Sequence, residues 1–75
     1  MEKIEIRTEY IKLDAALKFS ALAASGGEAK TVIAEGLVAV NGEICTMRGK
    51  KLRDGDVVSF GGKTVEIVRA EINEG

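Results

Sequence analysis

The stretch from Ser25 to Glu43, SGGEAKTVIAEGLVAVNGE, constrains the fold most, because it holds a helix start, a helix end and a hairpin turn in succession. Ser25 and Glu28 form the pattern of a capping box, in which the serine hydroxyl accepts the Glu28 amide and the carboxylate reaches back to the Ser25 amide. An apolar stripe at helical spacing follows, made of Ala29, Val32 and Ile33. The pattern predicts a helix over 26–35.

The end of this helix leads directly into a hairpin. Gly36 stands where a left-handed residue would close the helix. Leu37 to Val40 has the apolar run of a buried strand, and Asn41-Gly42 supplies the two positive-φ positions of a tight type I′ turn. No linker separates the helix from the hairpin.

The first third of the chain predicts an edge strand and a second helix. Ile4 and Ile6 alternate with charged residues, which is the period of a strand with one exposed face. Residues 8–12 connect this strand to a helix from about Leu13 to Ala24 that is apolar on nearly all sides, and we assign Phe19 to the core. Such a helix must be covered on two sides, so we expect it between the second helix and the sheet, in an αα-hairpin.

The last third of the chain predicts strands only. We expect short strands over 43–46, 57–60 and 64–69, a loop over 47–51, and turns at Asp54-Gly55-Asp56 and Gly61-Gly62. The predicted class is therefore α+β, with an αα-hairpin packed on a small, mostly antiparallel sheet. Residues 1–75 are short enough to form a single domain.

Composition excludes several functions. Cys45 is the only cysteine and histidine is absent, so one chain can form neither a disulfide nor a zinc site with the usual ligands. No carboxylate pair lies in an apolar setting that would raise one pKa, so we expect no enzyme, no cofactor and no metal. No apolar run resembles a signal peptide or a membrane span. We therefore expect a cytoplasmic monomer without a membrane partner.

Positive charge is concentrated in the middle of the chain. The net charge is −1, yet residues 30–53 carry five basic and two acidic side chains, a net charge of +3. Four of these bases fall within six residues, the basic stretch (48–53), namely Arg48, Lys50, Lys51 and Arg53. Free amides at the start of the second helix favour an anion, and Gly26-Gly27 remove side chains that would keep a phosphate away. A basic run is also common in solvated loops, and the glycines could serve only to turn the chain.

The order of motifs along the chain resembles a known RNA-binding domain. The blocks LDxxLK, SGGEAK, GxVxVNGE, RGKKL and GDxV resemble the domain typified by the fourth protein of the small ribosomal subunit, the S-four domain. More narrowly, SGGEAK with VNGE and RGKKL is similar to the short stand-alone bacterial members of the YaaA and YbcJ type. The resemblance covers Lys12 to Val58 and implies two helices docked on a small sheet, the alpha-L motif.

The resemblance also implies a ligand and a surface. The ligand would be structured RNA, ribosomal or transfer, free or within a ribosome or a ribosome-assembly intermediate. Many members carry arginine where this chain has Gly27, and the narrower group often has two arginines where it has Met47-Arg48. With the glycine pair and the basic stretch, the candidate contact residues are Lys12, Ser25, Gly26, Gly27, Lys30, Asn41, Arg48, Lys50, Lys51 and Arg53. Aromatic rings are too few for a base-stacking platform, so we expect recognition of backbone and shape.

Two alternatives stay open at this point. A ubiquitin-like sulfur carrier also has a VNG hairpin, a later DGD turn and a C-terminal glycine, here Gly75, although such carriers end in two glycines and need no αα-hairpin. A protein-binding adaptor with the same fold is the other alternative, supported by the acidic ends of the chain and by Gly27 in place of arginine.

Overall fold

The computed structural model describes residues 2–70 of the chain. Two strands come first, two helices follow in one consecutive block, and five strands complete the order. The helices are α1 (Leu13–Phe19) and α2 (Gly26–Ala34), and the strands are β1 (Glu2–Ile6), β2 (Ile11–Lys12), β3 (Val38–Val40), β4 (Glu43–Ile44), β5 (Lys51–Leu52), β6 (Val57–Phe60) and β7 (Lys63–Arg69). The predicted α+β class is confirmed.

Five strands form one sheet in the order β1-β7-β6-β3-β4. β1 runs parallel to β7, with Ile4 opposite Ile67, and the pairs β7–β6, β6–β3 and β3–β4 are antiparallel. β1 lies at the edge, as its alternating pattern predicts. Asn41 and Gly42 have φ values of 52° and 84°, so the predicted hairpin turn between β3 and β4 is confirmed.

The buried side chains form one cluster that joins the sheet to both helices. Ile4 and Ile6 of β1 are buried beside Val65 and Ile67 of β7, as the alternation predicts. The largest side chains with almost no exposed surface are Leu13, Leu17, Ile33, Val38, Leu52, Val58, Val65 and Ile67. In the strands the buried side chains alternate with more exposed ones, as Val65 and Ile67 do in β7. A slip by one residue would expose them, so their burial fixes the register of the strands.

The two ends of α2 follow the local sequence closely. Ser25 Oγ accepts a hydrogen bond from the Glu28 amide at 3.2 Å, which confirms the predicted cap. The Glu28 carboxylate accepts from the Ala24 amide at 3.3 Å, one residue earlier than predicted. At the other end Gly36 has a φ of 75°, and its amide and that of Leu37 donate to α2 carbonyls in the pattern of a Schellman motif.

Residue Leu37 lies outside the strand that it was predicted to begin. The strand β3 starts at Val38, and the Leu37 side chain is 53% exposed. The reason is the Schellman closure, which uses Leu37 as its last residue and turns its amide back to the Val32 carbonyl at 3.1 Å.

Helix α1 is shorter than predicted. It ends at Phe19 instead of Ala24, because Ala21 adopts a left-handed φ of 60° and the Ser20 hydroxyl donates to the Ala16 carbonyl at 2.8 Å. A left-handed residue with a Cβ costs about 1–2 kcal/mol, so such a residue is hard to predict. No glycine stands at this position to mark the end of the helix. The early end lets the connection double back and bury Ala23, which is 2% exposed.

The assignment of Phe19 to the core is wrong. Its side chain is 70% exposed, and Ala15 is exposed as well, so α1 buries only the face that carries Leu13, Ala16 and Leu17. The expectation that α1 must be covered on two sides fails for the same reason. The helix has only seven residues, so several apolar residues that were predicted to form its second face lie in the connection to α2.

A second, two-stranded sheet was not predicted. β2 and β5 pair antiparallel, with Ile11 opposite Leu52 and Lys12 opposite Lys51, and we call this pair the ribbon. Lys51 therefore belongs to a strand, not to the predicted loop over 47–51, and the connection over 8–12 ends in a strand. Leu52 has no exposed surface, so one face of the ribbon packs on the core.

Candidate nucleic-acid interface

The start of α2 leaves open space around its first turn. A Cβ atom built on Gly26 would meet nothing within 4 Å, and one on Gly27 would meet only Ser25 Oγ at 3.8 Å. Both glycines lie inside α2 and neither has a positive φ, so they are not there to turn the chain. What they provide is an uncovered helix start, with exposed Lys30 one turn further along.

The basic stretch is docked on the start of α1. The Leu13 amide donates to the Lys50 carbonyl at 2.9 Å, and the Asp14 amide donates to the Arg48 carbonyl at 3.1 Å. Lys12, the residue before α1, provides no side-chain cap, so these two carbonyls satisfy amides that would otherwise lack a partner. The exposed Arg48 and Lys50 are thereby held beside α1.

A groove lies between the two helices. Its volume is about 230 Å³, and it is lined by Asp14, Ala15 and Lys18 of α1 and by Gly26 and Lys30 of α2. The candidate residues of α2 thus face the same part of α1 on which the basic stretch docks. Sequence reasoning missed Lys18 as a site residue, because its spacing from Asp14 has the form of an ordinary helical ion pair.

Asn41 holds the hairpin to the turn before β6. Its Nδ2 donates to Asp56 Oδ1 at 3.0 Å, and its Oδ1 accepts from the Val57 amide at 2.9 Å. Asn41 also lines a shallow depression of about 330 Å³ together with Lys50. Both polar ends of its side chain are therefore engaged within the protein, at the border of the candidate surface.

The remaining candidates lie on the ribbon or directly after it, next to a tyrosine. Lys51 Nζ lies 4.9 Å from the centroid of the Tyr10 ring, and the Arg53 guanidinium carbon lies 5.9 Å from it. Lys12 is directly opposite Lys51 in the register. Tyr10 is not among the predicted site residues, because only the pairing of β2 with β5 brings its ring to these cations.

The fold brings the candidate residues to one continuous region around the start of α1. Six bases from three separate parts of the sequence are exposed there, and we call this region the basic surface; its bases are Lys12, Lys30, Arg48, Lys50, Lys51 and Arg53, with Lys18 in the groove. The neighbouring Asp56 is engaged within the protein, since its carboxylate accepts hydrogen bonds from the Arg53 amide and from Asn41. Such a surface attracts a polyanion although the whole chain is slightly acidic.

The side chains and backbone amides of this region are suited to binding phosphate groups. Among residues 2–70, no group of three or more histidine, cysteine, aspartate or glutamate side chains is placed to hold a metal ion. Lysine and arginine side chains beside open backbone amides can neutralise and hydrogen-bond phosphates.

Across residues 2–70 no helix is long and apolar enough to cross a membrane, α2 having nine residues.

Comparison with known proteins decides the family. The model of the S4 domain matches residues 4–68, which is most of the chain. The chain belongs to the S4 domain family. This is the family that the sequence motifs resemble, and the match includes both helices, the ribbon and all of the five-stranded sheet except the first residues of β1 and the last residue of β7.

Relatives of this S4 domain include two proteins with informative names. It is 39% identical over 59 residues to the putative RNA-binding protein YbcJ of Escherichia coli, covering 79% of this chain and 84% of YbcJ. It is 46% identical over 59 residues to the probable ribosome maturation protein RlbA of Bacillus subtilis, covering 79% of this chain and 83% of RlbA.

Solved structures show the same architecture. The solution structure of E. coli YbcJ, described as having an alpha-L motif involved in RNA binding, superposes with a TM-score of 0.71 at 35% identity and covers 91% of this chain and 87% of that one. The 30S ribosomal protein S4e of Thermoplasma acidophilum superposes with a TM-score of 0.59 at 22% identity, covering 77% of this chain and 31% of that protein. The second likeness shows the fold alone.

Proposed function

We propose that this S4 domain is a non-catalytic RNA-binding module that recognises the backbone and shape of structured RNA. The observation that carries the proposal is the basic surface, in which α1, α2 and the ribbon bring dispersed cations together on a chain of net charge −1. The names of YbcJ and RlbA, an RNA-binding protein and a ribosome maturation protein, support the same ligand class.

Each part of the basic surface has a proposed task. Lys30 and the open amides of Gly26 and Gly27 would receive a phosphate at the start of α2, since a helix N-terminus favours an anion. Arg48 and Lys50 would contact the neighbouring backbone, because their carbonyl groups hold the basic stretch against α1. Ser25 and Asn41 would stabilise the fold that carries these contacts, Ser25 through the cap and Asn41 at the border of the surface through the link to Asp56.

The RNA that we propose is ribosomal or transfer RNA, bound free or within a ribosome-assembly intermediate. An A-form RNA helix exposes its backbone and 2′-hydroxyls on a wide minor groove. An exposed basic surface with few aromatic rings is therefore suited to recognising the shape of the helix, not its base sequence. Crosslinking the protein to RNA in cells and sequencing the recovered fragments tests this identity. Fragments drawn evenly from messenger RNAs would contradict it.

Salt dependence tests the surface itself. If Lys30, Arg48, Lys50, Lys51 and Arg53 each neutralise one phosphate, log K should fall with log salt at a slope of roughly −3.5 to −4.5. Replacing Lys50 and Lys51 by alanine should make the slope shallower by about 1.5 and weaken all structured RNAs nearly equally. The measurement is fluorescence anisotropy of a labelled ribosomal RNA hairpin and a labelled transfer RNA at several salt concentrations.

Lys63→Ala is the matched control. Lys63 is exposed like Lys50 and Lys51, but it begins β7, directly after the Gly61-Gly62 turn. It pairs with Phe60, at the opposite end of β6 from Asp56. This variant should change neither slope nor affinity. An unchanged slope and affinity in the Lys50 and Lys51 double variant would show that the chosen surface does not face the RNA.

The two alternatives from the sequence gain no support. The sulfur-carrier hypothesis depends on Gly75, which lies outside the described residues, and the αα-hairpin and the S4 domain match favour the RNA module instead. The adaptor hypothesis predicts that the cations of the basic surface are dispensable. The double variant therefore separates it from RNA binding.

A further inference from the structure

The two faces of the ribbon differ sharply in chemistry. Ile11 and Leu52 are opposite each other and point to the core, where Leu52 has no exposed surface and Ile11 is half-buried. Side chains alternate along a strand, so the neighbours of these two residues share the other face. We call it the outer ribbon face, and it consists of Tyr10, Lys12, Lys51 and Arg53.

Two like charges are directly opposite on this face. Lys12 and Lys51 are register partners, and like charges in directly opposite positions destabilise a strand pair. The acids that follow β5 are turned elsewhere, since Asp54 accepts from the Arg69 amide at 2.8 Å and Asp56 from the Arg53 amide at 2.8 Å. A phosphate between the two lysines would relieve this repulsion.

Tyr10 belongs to the same face and not to the core. It is half-buried, yet it is absent from the apolar side chains that pack on the core cluster among residues 2–70. Lys51 Nζ and the Arg53 guanidinium carbon instead lie over its ring, 4.9 and 5.9 Å from the ring centroid. The Thr8 hydroxyl donates to the Tyr10 carbonyl at 2.8 Å and holds the backbone at this point.

A ring beside paired cations fits one chemical class of ligand. A nucleotide carries a phosphate for the cations and a flat base for the ring, and stacking on an aromatic side chain tolerates every base. The base must be unpaired, because a base inside a helix has both of its faces covered by its neighbours. One ring cannot form a platform, but it can hold one base.

We propose that the outer ribbon face is a subsite for one unpaired nucleotide of the bound RNA. Lys12 and Lys51 hold its phosphate, and its base stacks on Tyr10. This inference rests on the proposed function and adds to it a preference for RNA in which a base is bulged or looped out beside the helix that the basic surface grips.

The sequence provides its own probe for this subsite. Tyr10 is the only tyrosine and tryptophan is absent, so intrinsic fluorescence excited near the tyrosine band reports on this ring alone. Two RNA hairpins serve as ligands, one with a single bulged adenosine in the stem and one with the same stem fully paired. The bulged hairpin should quench the tyrosine fluorescence more strongly than the paired hairpin at equal saturation.

Affinity gives the second readout. The wild type should bind the bulged hairpin about fivefold or more tightly than the paired one, since stacking of one base on an aromatic ring has an effect of this size or larger. Tyr10→Leu should bring this ratio close to one, and Tyr10→Phe should keep it. Lys63→Ala, outside the ribbon, should keep the wild-type ratio.

The variant Lys12→Gln tests the phosphate contact without touching the ring. It removes one of the two opposed charges, so the free protein should melt at the same temperature or slightly higher, while the bulged hairpin loses more affinity than the paired hairpin. A loss of affinity together with a loss of stability would indicate a structural role and overturn the subsite. This variant also keeps the proposal testable if Tyr10→Leu does not fold.

The outcomes separate the subsite from the proposed function. If the wild type binds neither hairpin, the RNA-binding function fails. If it binds both with equal affinity, or if Tyr10→Leu keeps the preference for the bulged hairpin, only the subsite is overturned.

Discussion

The Asp14 amide donates a hydrogen bond to the Arg48 carbonyl over 3.1 Å, which ties the start of α1 to the basic stretch. A second bond, from the Leu13 amide to the Lys50 carbonyl, lies beside it. Since Lys12 gives α1 no side-chain cap, the basic stretch acts as the cap. The position of the cations and the stability of α1 therefore depend on the same two bonds.

Deleting Gly49 should break both bonds. The deletion shortens the turn that the Lys50 amide closes onto the Met47 carbonyl, so the two carbonyls can no longer reach α1. We expect a loss of about 1–3 kcal/mol of stability, from two bonds of roughly 0.5–1.5 kcal/mol each. Hydrogen exchange should show faster exchange of the Leu13 and Asp14 amides.

Gly49→Ala is the control for this deletion. A Cβ at Gly49 meets nothing within 4 Å and the residue has no positive φ, so the substitution should leave both amides protected. Fast exchange of these amides in the wild type would contradict the docking of the basic stretch on α1.

Asn41→Gly should lower stability without a matching loss of RNA affinity. Glycine keeps the positive φ but removes two hydrogen bonds, to Asp56 and from Val57, so we expect a loss of about 1–3 kcal/mol in urea unfolding. Asn41→Ala should cost more, because it adds the strain of a left-handed residue with a Cβ. Both polar ends of Asn41 are already engaged, so RNA affinity of the folded variant should change less than about threefold.

The opposite result for Asn41 would assign it a different role. If Asn41→Gly lost little stability but at least tenfold in affinity for a structured RNA, this residue would contact RNA directly. Anisotropy at a temperature well below the melting point of each variant makes the comparison.

Gly27→Arg should tighten RNA binding while the fold is kept. The new Cβ would meet only Ser25 Oγ at 3.8 Å, an ordinary contact, and Gly27 has no positive φ to preserve. Replacing a helical glycine favours α2 by up to about 1 kcal/mol, and a cation near the helix N-terminus costs about 0.3–1 kcal/mol, so the melting temperature should change little. One more phosphate contact should steepen the salt slope by about 0.7 to 0.9.

Gly27→Gln is the uncharged control for this variant. It fills similar space without the charge, so the salt slope should stay at its wild-type value. If Gly27→Arg leaves both slope and affinity unchanged while melting normally, the start of α2 does not face RNA phosphates.

The best predicted elements are those whose determinants lie within a few residues of each other. The cap of Ser25, the helix end at Gly36 and the turn at Asn41-Gly42 all follow from hydrogen bonds and φ preferences inside short segments. The alternation of Ile4 and Ile6 likewise shows which face of β1 is buried, because strand geometry sets that period.

What the sequence by itself determined is thus α2, the hairpins and the family motifs, whereas the tertiary structure decided how α1 ends and how the basic surface is assembled. Ala21 takes a left-handed conformation in the connection that buries Ala23, while Phe19 stays exposed. Tyr10 meets Lys51 through the register of the ribbon, a pairing of two-residue strands about forty positions apart. Local propensity carries no signal for such contacts, since packing and burial of distant residues decide them.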